Sequence, residues 1–373
     1  MTGEPAGGEP AGGEPAAGHA PSPGPRGSHR PLSEAYDTAL LDLDGVVYLG
    51  GTGIPGAAQA LQKAAAAGMA LAYVTNNASR TPRAICEQLA GLGVPVQPES
   101  VITSAQAAAR LLSERLPQGA PVLVIGGTGL RMAVRERGLR PVTTAAENPA
   151  AVVQGYLPGV SYPLLAEGAL AVAAGALFVA SNADATLPST RGRLPGNGAL
   201  VQVIRTATGC DPIVAGKPEP PMHSETLIRT GARRPLVVGD RLDTDIEGAN
   251  RVGADSLLVL TGVSRPSDVV LAPTHRRPSY LAADLTGLLE AHPATSGGAR
   301  EPFSCNGWQV RWVSNGTGRG GDGADSSADG ARLELTGSGE RVDALRAICA
   351  ASWSRDGVTP GMVADALRLA KLE

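Results

Sequence analysis

From Tyr36 onward the chain alternates short apolar runs with stretches of helical period, and the alternation stops and later resumes. Residues 38–43 read as a strand and 55–67 as a helix, opened by Pro55 and closed by Gly68. Residues 69–75 read as a second strand, and 81–91 as a helix opened by Thr81-Pro82. This βαβα order predicts a parallel sheet with helices on both faces. A further α/β section follows, with strands at 121–125, 151–154 and 176–180 and helices at 130–137, 162–173 and 198–208. Buried-strand text then returns at 212–215, 235–239 and 256–260, with helices at 222–230 and 244–252 between them. One domain inserted into another produces such an interruption.

The two ends read differently. Residues 1–33 repeat Gly-Glu-Pro-Ala and carry few branched apolar side chains, so a disordered tail is expected. That stretch lacks the apolar core of a signal peptide, and a cytoplasmic location is expected. Residues 291–300 read as a Pro/Ala/Ser/Gly linker. Beyond it, strands at 308–313 and 332–336 flank a Gly/Asp/Ser loop, and helices follow at 340–354 and from Thr359-Pro360 to about Lys371.

Of the 373 residues, 43% are hydrophobic but only 3% aromatic, so the cores must rest on Ala, Val and Leu. A formal charge of -3 predicts no general affinity for nucleic acid or for an anionic membrane. The longest apolar stretch, 164–180, holds Glu167 and several small residues and is too short and polar to span a bilayer. Cys86, Cys210, Cys305 and Cys349 are far apart and include no Cys-x-x-Cys pair, which argues against a zinc cluster or a disulfide framework.

Four segments carry the chemistry, each at the end of an expected core strand, where open parallel sheets bind their ligands. Asp42-Leu43-Asp44-Gly45 ends the first strand with two acids whose side chains would share one face, about 6–7 Å apart. Acids so placed repel unless a proton or a hard cation such as Mg²⁺ relieves them. Thr75-Asn76-Asn77 ends the second strand with a hydroxyl and two amides. Gly216-Lys217-Pro218 offers a cation in a rigid turn. Gly239-Asp240-Arg241-Leu242-Asp243-Thr244-Asp245 ends a further strand with three acids. A carboxylate nucleophile, a metal and donors for phosphate oxygens make a set suited to phosphoryl transfer. Gly126-Gly127-Thr128-Gly129 fails the dinucleotide spacing, since Met132 stands where the last Gly should be, and reads as a tight strand-to-helix turn. His223 reads as a surface residue at a helix start, and Asp243 as a helix N-cap.

Over residues 36–290 these segments resemble the four motifs of the haloacid dehalogenase superfamily, in its large-cap subfamily of p-nitrophenyl phosphate and phosphoglycolate phosphatases. The resemblance implies a Rossmann-like α/β parallel-sheet core (34–102 and 209–290) with an inserted α/β cap (103–208). It implies that Asp42 attacks phosphorus and that Asp44 protonates the leaving alkoxide and then activates water. Mg²⁺ would be held by the Asp42 carboxylate, the Asp44 main-chain carbonyl and the Asp240 carboxylate. Thr75, Asn76, Asn77 and Lys217 would bind phosphate oxygens, and Asp245 would orient Lys217 or a metal-bound water. The cap segment Ser181-Asn182-Ala183-Asp184, with Pro188 and Pro195-Gly196-Asn197-Gly198 after it, resembles the family's substrate loop. Asn182 and Asp184 would meet substrate hydroxyls or else tie down a turn. Pairing of cap surfaces into a homodimer is a further implication.

The domain order also resembles actinobacterial glycerol-3-phosphate phosphatases that end in an acetyltransferase-like domain, here a small α+β unit at 301–373. That unit lacks the Arg/Gln-x-x-Gly-x-Gly/Ala turn an acetyltransferase uses for coenzyme A, so a structural or assembly role is expected of it. The expected activity is hydrolysis of a small-molecule phosphate ester, glycerol 3-phosphate by this resemblance. 2-Phosphoglycolate or a nucleotide is the alternative substrate, and a non-catalytic phosphometabolite sensor the alternative of another class.

Overall fold

The computed structural model describes residues 24–187, 192–298, 300–314 and 331–372. The Gly-Glu-Pro-Ala repeats, Pro188 and most of the Gly/Asp/Ser loop lie outside the described residues.

Thr38–Leu41 is buried along its whole length and pairs in parallel with Pro235–Gly239 on one side and Ala70–Thr75 on the other. Asp255–Val259 and Tyr280–Ala282 extend the sheet beyond Pro235–Gly239, and Val101–Thr103 extends it beyond Ala70–Thr75. This six-stranded parallel sheet carries helices on its faces, as the alternating sequence predicts. Leu41, Leu236 and Val238 are fully buried in it. Each such side chain contributes about 1.5–3 kcal/mol by leaving water. The helix Pro82–Gly91 begins where Thr81-Pro82 predicts, with Thr81 Oγ1 accepting the Ala84 N–H at 3.2 Å.

A second, five-stranded parallel sheet belongs to the insertion, in the order Ile213–Val214, Leu177–Ala180, Ala151–Gln154, Pro121–Ile125, Arg140–Val142. Its first strand corrects one expectation. The hydropathy pattern places Ile213–Val214 in the returning core, but this strand pairs with Val179 and Ala180 in the cap. At the opposite boundary Val101–Thr103 is a core strand, and the cap sheet begins at Pro121. Between them runs the helix Ser104–Ser113, opened by a reciprocal cap in which Thr103 Oγ1 accepts Gln106 N–H and Gln106 Oε1 accepts Thr103 N–H at 2.9 Å. This helix packs on both Thr128–Glu136 of the cap and Pro220–Thr230 of the core. One continuous apolar cluster therefore joins Leu40, Val74 and Ile102 of the core to Val122, Val124 and Val153 of the cap. Glu225, 1% exposed, reinforces the seam by pairing with Arg110 at 3.3 Å and Arg137 at 3.1 Å.

The C-terminal unit is an antiparallel sheet in the order Ser296–Gly298, Glu301–Cys305, Trp308–Ser314, Ala331–Gly337, covered by Arg341–Trp353 and Pro360–Leu369. The sequence pattern does not predict the first two of these strands. The stretch 291–300 is more than a linker, for it holds Ser296–Gly298 and the buried His292. Nor is the unit separate. Leu345, Ile348 and Cys349 share an apolar cluster with Leu242, Val269 and Leu281 of the core. Residues 24–33 also depart from the expected tail. Arg26 N donates to Ser279 O and Ser28 N to His292 O, each at 2.8 Å, and Leu32 is fully buried. Among the described residues no helix is long and apolar enough to cross a membrane, and Cys86, Cys210, Cys305 and Cys349 are all free thiols.

Candidate active site

The strand order decides which sequence motifs meet. Because Thr38–Leu41 lies between Pro235–Gly239 and Ala70–Thr75, their carboxyl ends bring Asp42, Asp240 and Thr75 side by side. Asp42 N–H continues the ladder to Val238 O at 2.8 Å, which fixes where its side chain emerges. The chain then turns sharply at Gly45, whose φ is 89° and whose N–H donates to Tyr48 O at 2.7 Å. A Cβ at Gly45 would stand 2.5 Å from Asp240 Oδ2, so only glycine lets the two motifs approach this closely.

A cavity of about 490 Å³ opens between core and cap above these strand ends. Asp42, Asp44, Tyr48, Thr75, Asn76 and Asn77 line it from the core's first two motifs, and Lys217 and Arg241 from the others. Tyr156, Asn182, Asp184 and Asn197 line it from the cap. Asp240 is fully buried and Asp245 is 1% exposed, and neither reaches the cavity wall.

Lys217, 4% exposed, is the electrostatic hub. Its ammonium donates to Asp42 Oδ1, to Asp245 Oδ1 at 2.6 Å and to Val74 O at 3.1 Å. Burial works against its charge, but Asp245 and Asp42 more than offset this and hold its pKa above the usual value. Asp245 spends its other oxygen on Arg241 N–H at 3.2 Å, inside a π-helical turn, Leu242–Ile246, that replaces the start of the expected helix. Asp243 is not a helix cap. It accepts a bidentate pair from Arg241 at 3.0 and 2.8 Å.

Carboxylate oxygens of Asp42, Asp240 and Asp245 lie within 4.8 Å of one another. Burial pushes the Asp240 carboxyl up to about 8, with Asp42 and Asp245 adding to the rise. Burial likewise lifts Asp42 to about 7, against the pull of Lys217. Asp240 Oδ2 accepts Val263 N–H at 2.6 Å, while Oδ1 is buried without a hydrogen-bond partner. Were all three carboxylates ionised, they would leave two negative charges against the one ammonium, which one hard divalent cation would neutralise. The residues present therefore fit Mg²⁺. Asp44 differs from its neighbour, because it faces the cavity and partial desolvation raises its carboxyl above the usual range.

The amides do different work from one another. Asn76 Oδ1 accepts Lys217 N–H at 2.8 Å, and its Nδ2 donates to Lys217 O at 3.1 Å and to Asp184 Oδ2 at 3.2 Å. It thus clamps the lysine turn and touches the cap, with its side chain already engaged by protein. Asn77 Oδ1 accepts Ser79 N–H at 2.9 Å and Arg80 N–H at 3.3 Å, closing a turn. Asn182 Nδ2 donates to Asn76 O at 2.7 Å while its Oδ1 accepts Asp184 N–H at 3.2 Å. Of the two cap residues, Asp184 keeps a carboxylate toward the cavity, and burial raises its pKa against the pull of Arg241. The tight turn at Gly127 and Thr128 docks the cap on this region, for Gly129 N–H donates to Ser79 O at 3.0 Å and a Cβ there would strike Arg80 O.

Tyr156 and Arg241 are cavity residues to which the sequence pattern gives no role, and Asn197 of the expected substrate loop lines the cavity with them. Tyr156 stands just past the cap strand Ala151–Gln154, so the strand-end rule applied to the cap would have found it. His223 is buried rather than at the surface, with its Nε2 unpartnered and its pKa lowered to about 4 by burial and by Lys217. Below the ordinary histidine value of 6.5 the unfolded chain takes up a proton that the folded ring refuses until about pH 4. Stability from the neutral ring is complete above pH 6.5 and falls as pH drops to 4, by about 3 kcal/mol. His223→Phe is therefore expected to flatten the acid limb of a stability-versus-pH curve measured by urea unfolding, and an unchanged limb would refute this account.

A parallel sheet bearing acids at the ends of adjacent central strands, a buried lysine and an inserted cap define a capped hydrolase. The chain belongs to the haloacid dehalogenase-like hydrolase family, which it matches over residues 39–140, with a HAD-hydrolase-like match over residues 214–288. It is 49% identical over 257 residues to the D-glycerol 3-phosphate phosphatase of Mycobacterium tuberculosis, covering 69% of this chain and 72% of that protein. It is 42% identical over 236 residues to the acid sugar phosphatase of Staphylococcus aureus, covering 63% of this chain and 90% of that one. The crystal structure of the glycerol phosphate phosphatase from Mycobacterium tuberculosis in complex with magnesium superposes with a TM-score of 0.79 at 39% identity, over 92% of this chain and 100% of that chain.

Proposed function

We propose that the enzyme is a Mg²⁺-dependent phosphatase that hydrolyses glycerol 3-phosphate by way of a phosphorylated Asp42. The observation that carries this reading is the convergence of Asp42, Asp44 and Lys217 on one cavity, with Asp240 beneath it. The substrate rests on the 49% identity to a D-glycerol 3-phosphate phosphatase. The likeness to an acid sugar phosphatase favours a sugar phosphate as the second reading.

Asp42 Oδ attacks phosphorus as the ester P–O bond breaks, and the departing alkoxide takes the proton of Asp44. Burial raises the Asp44 carboxyl above its ordinary value, which favours the protonated form that this step uses. Water then attacks the phosphorus of phospho-Asp42 and gives its proton to Asp44, releasing inorganic phosphate. Asp42, Asp240 and the Asp44 carbonyl are the groups that would hold Mg²⁺, which when bound supplies positive charge against the phosphate oxygens. Thr75 Oγ1 accepts the Asn77 N–H at 3.1 Å and keeps its own proton to donate to phosphate. Lys217 adds positive charge there, and Asn76 keeps it in place. Asn77 faces the same cavity and offers its amide N–H₂. In the cap, Asp184 is the acceptor for substrate hydroxyls, and Asn182 and Asn197 hold its loop, with Asn197 Nδ2 donating to Asn182 O at 2.8 Å.

Comparing kcat/KM across glycerol 3-phosphate, 2-phosphoglycolate, sugar phosphates and p-nitrophenyl phosphate, with Mg²⁺ and with EDTA, tests the proposal. Glycerol 3-phosphate is expected to lead by about tenfold or more, the worth of one well-placed pair of hydroxyl contacts. Activity on p-nitrophenyl phosphate without that preference would remove the substrate and leave the phosphatase.

A further inference from the structure

Asp240 is held in place from one side by the segment that follows the strand Asp255–Val259. Val263 N–H donates to Asp240 Oδ2 at 2.6 Å and Ser264 N–H to Asp240 O at 3.1 Å. Ser264 Oγ accepts Leu242 N–H at 3.1 Å, and Thr261 Oγ1 donates to Gly45 O at 2.5 Å. Four hydrogen bonds thus fix both the Asp240 turn and the glycine beside it to residues 261–264. The segment runs directly into the short helix Pro266–Val270, and the far side of that helix meets the C-terminal unit.

The contact is specific as well as apolar. Ser352 Oγ donates to Val270 O at 2.9 Å, and Trp353 Nε1 donates to Val269 O at 3.2 Å. Both carbonyls lie at the C-terminal end of the helix Pro266–Val270, where Val269 O also accepts the Ala272 N–H at 3.2 Å. Arg277 Nη1 returns a bond to Trp353 O at 3.2 Å, with its guanidinium 5.3 Å from the Trp353 ring. Beneath these bonds Leu242, Ile246 and Val269 share one apolar cluster with Leu345 and Ile348.

We propose that the C-terminal unit is a buttress of the cation site: through Ser352 and Trp353 it holds residues 261–270, and through them the Asp240 carboxylate, so that it sets the affinity for the divalent cation. The inference rests on the reading of Asp240 as a cation ligand. Val263 N–H aims one oxygen of Asp240 and leaves Oδ1 free, so loosening the segment releases the aim of that oxygen. Groups that orient ligands in this way change metal affinity by about 10–100-fold when lost. Ser352 and Trp353 are positioning residues and touch neither substrate nor cation.

The test is Mg²⁺ titration of the full-length protein by calorimetry, without substrate. Trp353→Phe with Ser352→Ala removes both bonds to the helix carbonyls and keeps nearly all the apolar contact. Its Kd for Mg²⁺ is expected to rise about tenfold, while kcat at saturating Mg²⁺ stays near wild type. Trp312→Phe is the control, because Trp312 Nε1 donates to Ala351 O at 3.1 Å inside the C-terminal unit and not across the seam. It is expected to bind Mg²⁺ as wild type does, even where its Tm falls. If the double variant is poorly folded, Trp353→Phe alone decides. A wild-type Kd in the seam variants overturns the inference, whatever their Tm. Asp240→Asn is titrated alongside: if it too keeps the wild-type Kd, the reading of Asp240 as ligand is what fails.

Discussion

Asp42→Asn is expected to lower kcat/KM for phosphate release by about 10⁴-fold or more, and to leave the metal-free protein at least as stable as wild type. The two effects have one source. The substituted amide keeps the shape and can still accept from Lys217, but it offers phosphorus no carboxylate oxygen. Stability moves the other way because the folded site resists ionising this residue, holding Asp42 near 7 against an ordinary value of 3.8. From pH 3.8 upward the unfolded wild-type chain gives up that proton while the folded chain keeps it, so ionisation favours unfolding increasingly until about pH 7. The variant's uncharged amide is free of this penalty. Thermal unfolding in EDTA at pH 5 and pH 8 should show the variant gaining on wild type at the higher pH. Phosphate release by wild type no faster than by the variant would overturn the enzyme reading and favour a sensor.

Lys217→Met is expected to be destructive in both respects. Its ammonium is the shared donor of Asp42, Asp245 and Val74 O, and the side chain is 4% exposed. Removing the cation leaves buried carboxylates unpaired, at a cost of about 3–5 kcal/mol, seen as a lower midpoint in urea unfolding. Because the orphaned acids recover neutrality by binding protons, the loss should be smaller at pH 5 than at pH 8. The rate should fall about 10²–10³-fold, as when a donor to developing phosphate charge is removed. Adding Asp245→Asn to Lys217→Met should restore much of the stability and none of the rate. Recovery of rate would mean that Lys217 acts only by holding the fold.

The sequence was most informative where chemistry is local. Asp42, Asp44, Thr75 and Asp240 each lie at a strand end or within a few residues of one, so a hydropathy pattern that finds the strand also finds the side chain. The break and return of the core pattern was legible for the same reason, since short apolar runs mark it. What the text could not carry was partnership. Ile213–Val214 is a two-residue strand whose neighbour in the sheet is set by distant pairing, and nothing within it distinguishes cap from core. His223 follows two prolines at the start of a helix and looks exposed there, but the helix turns it inward beneath Lys217. Asn76 and Asn77 read alike as polar cradle residues, yet one clamps the lysine turn and the other closes its own. Residues 24–33 look like more of the Gly/Pro tail because main-chain bonds to Ser279 and His292 leave no mark on composition. The helix Ser104–Ser113 carried a local signal of its own, since Thr103 and Gln106 stand at the spacing of a capping box.

The scarcity of aromatic residues has a spectroscopic consequence. All three tryptophans of the chain, Trp308, Trp312 and Trp353, lie in the C-terminal unit, and core and cap hold none. Intrinsic fluorescence excited at the red edge of indole absorption therefore reports on that unit alone. Trp353 sits at its junction with the rest of the protein, bonded to Val269 O and under the Arg277 guanidinium. Its emission is a built-in gauge of whether that junction is closed, while the catalytic cavity itself stays dark.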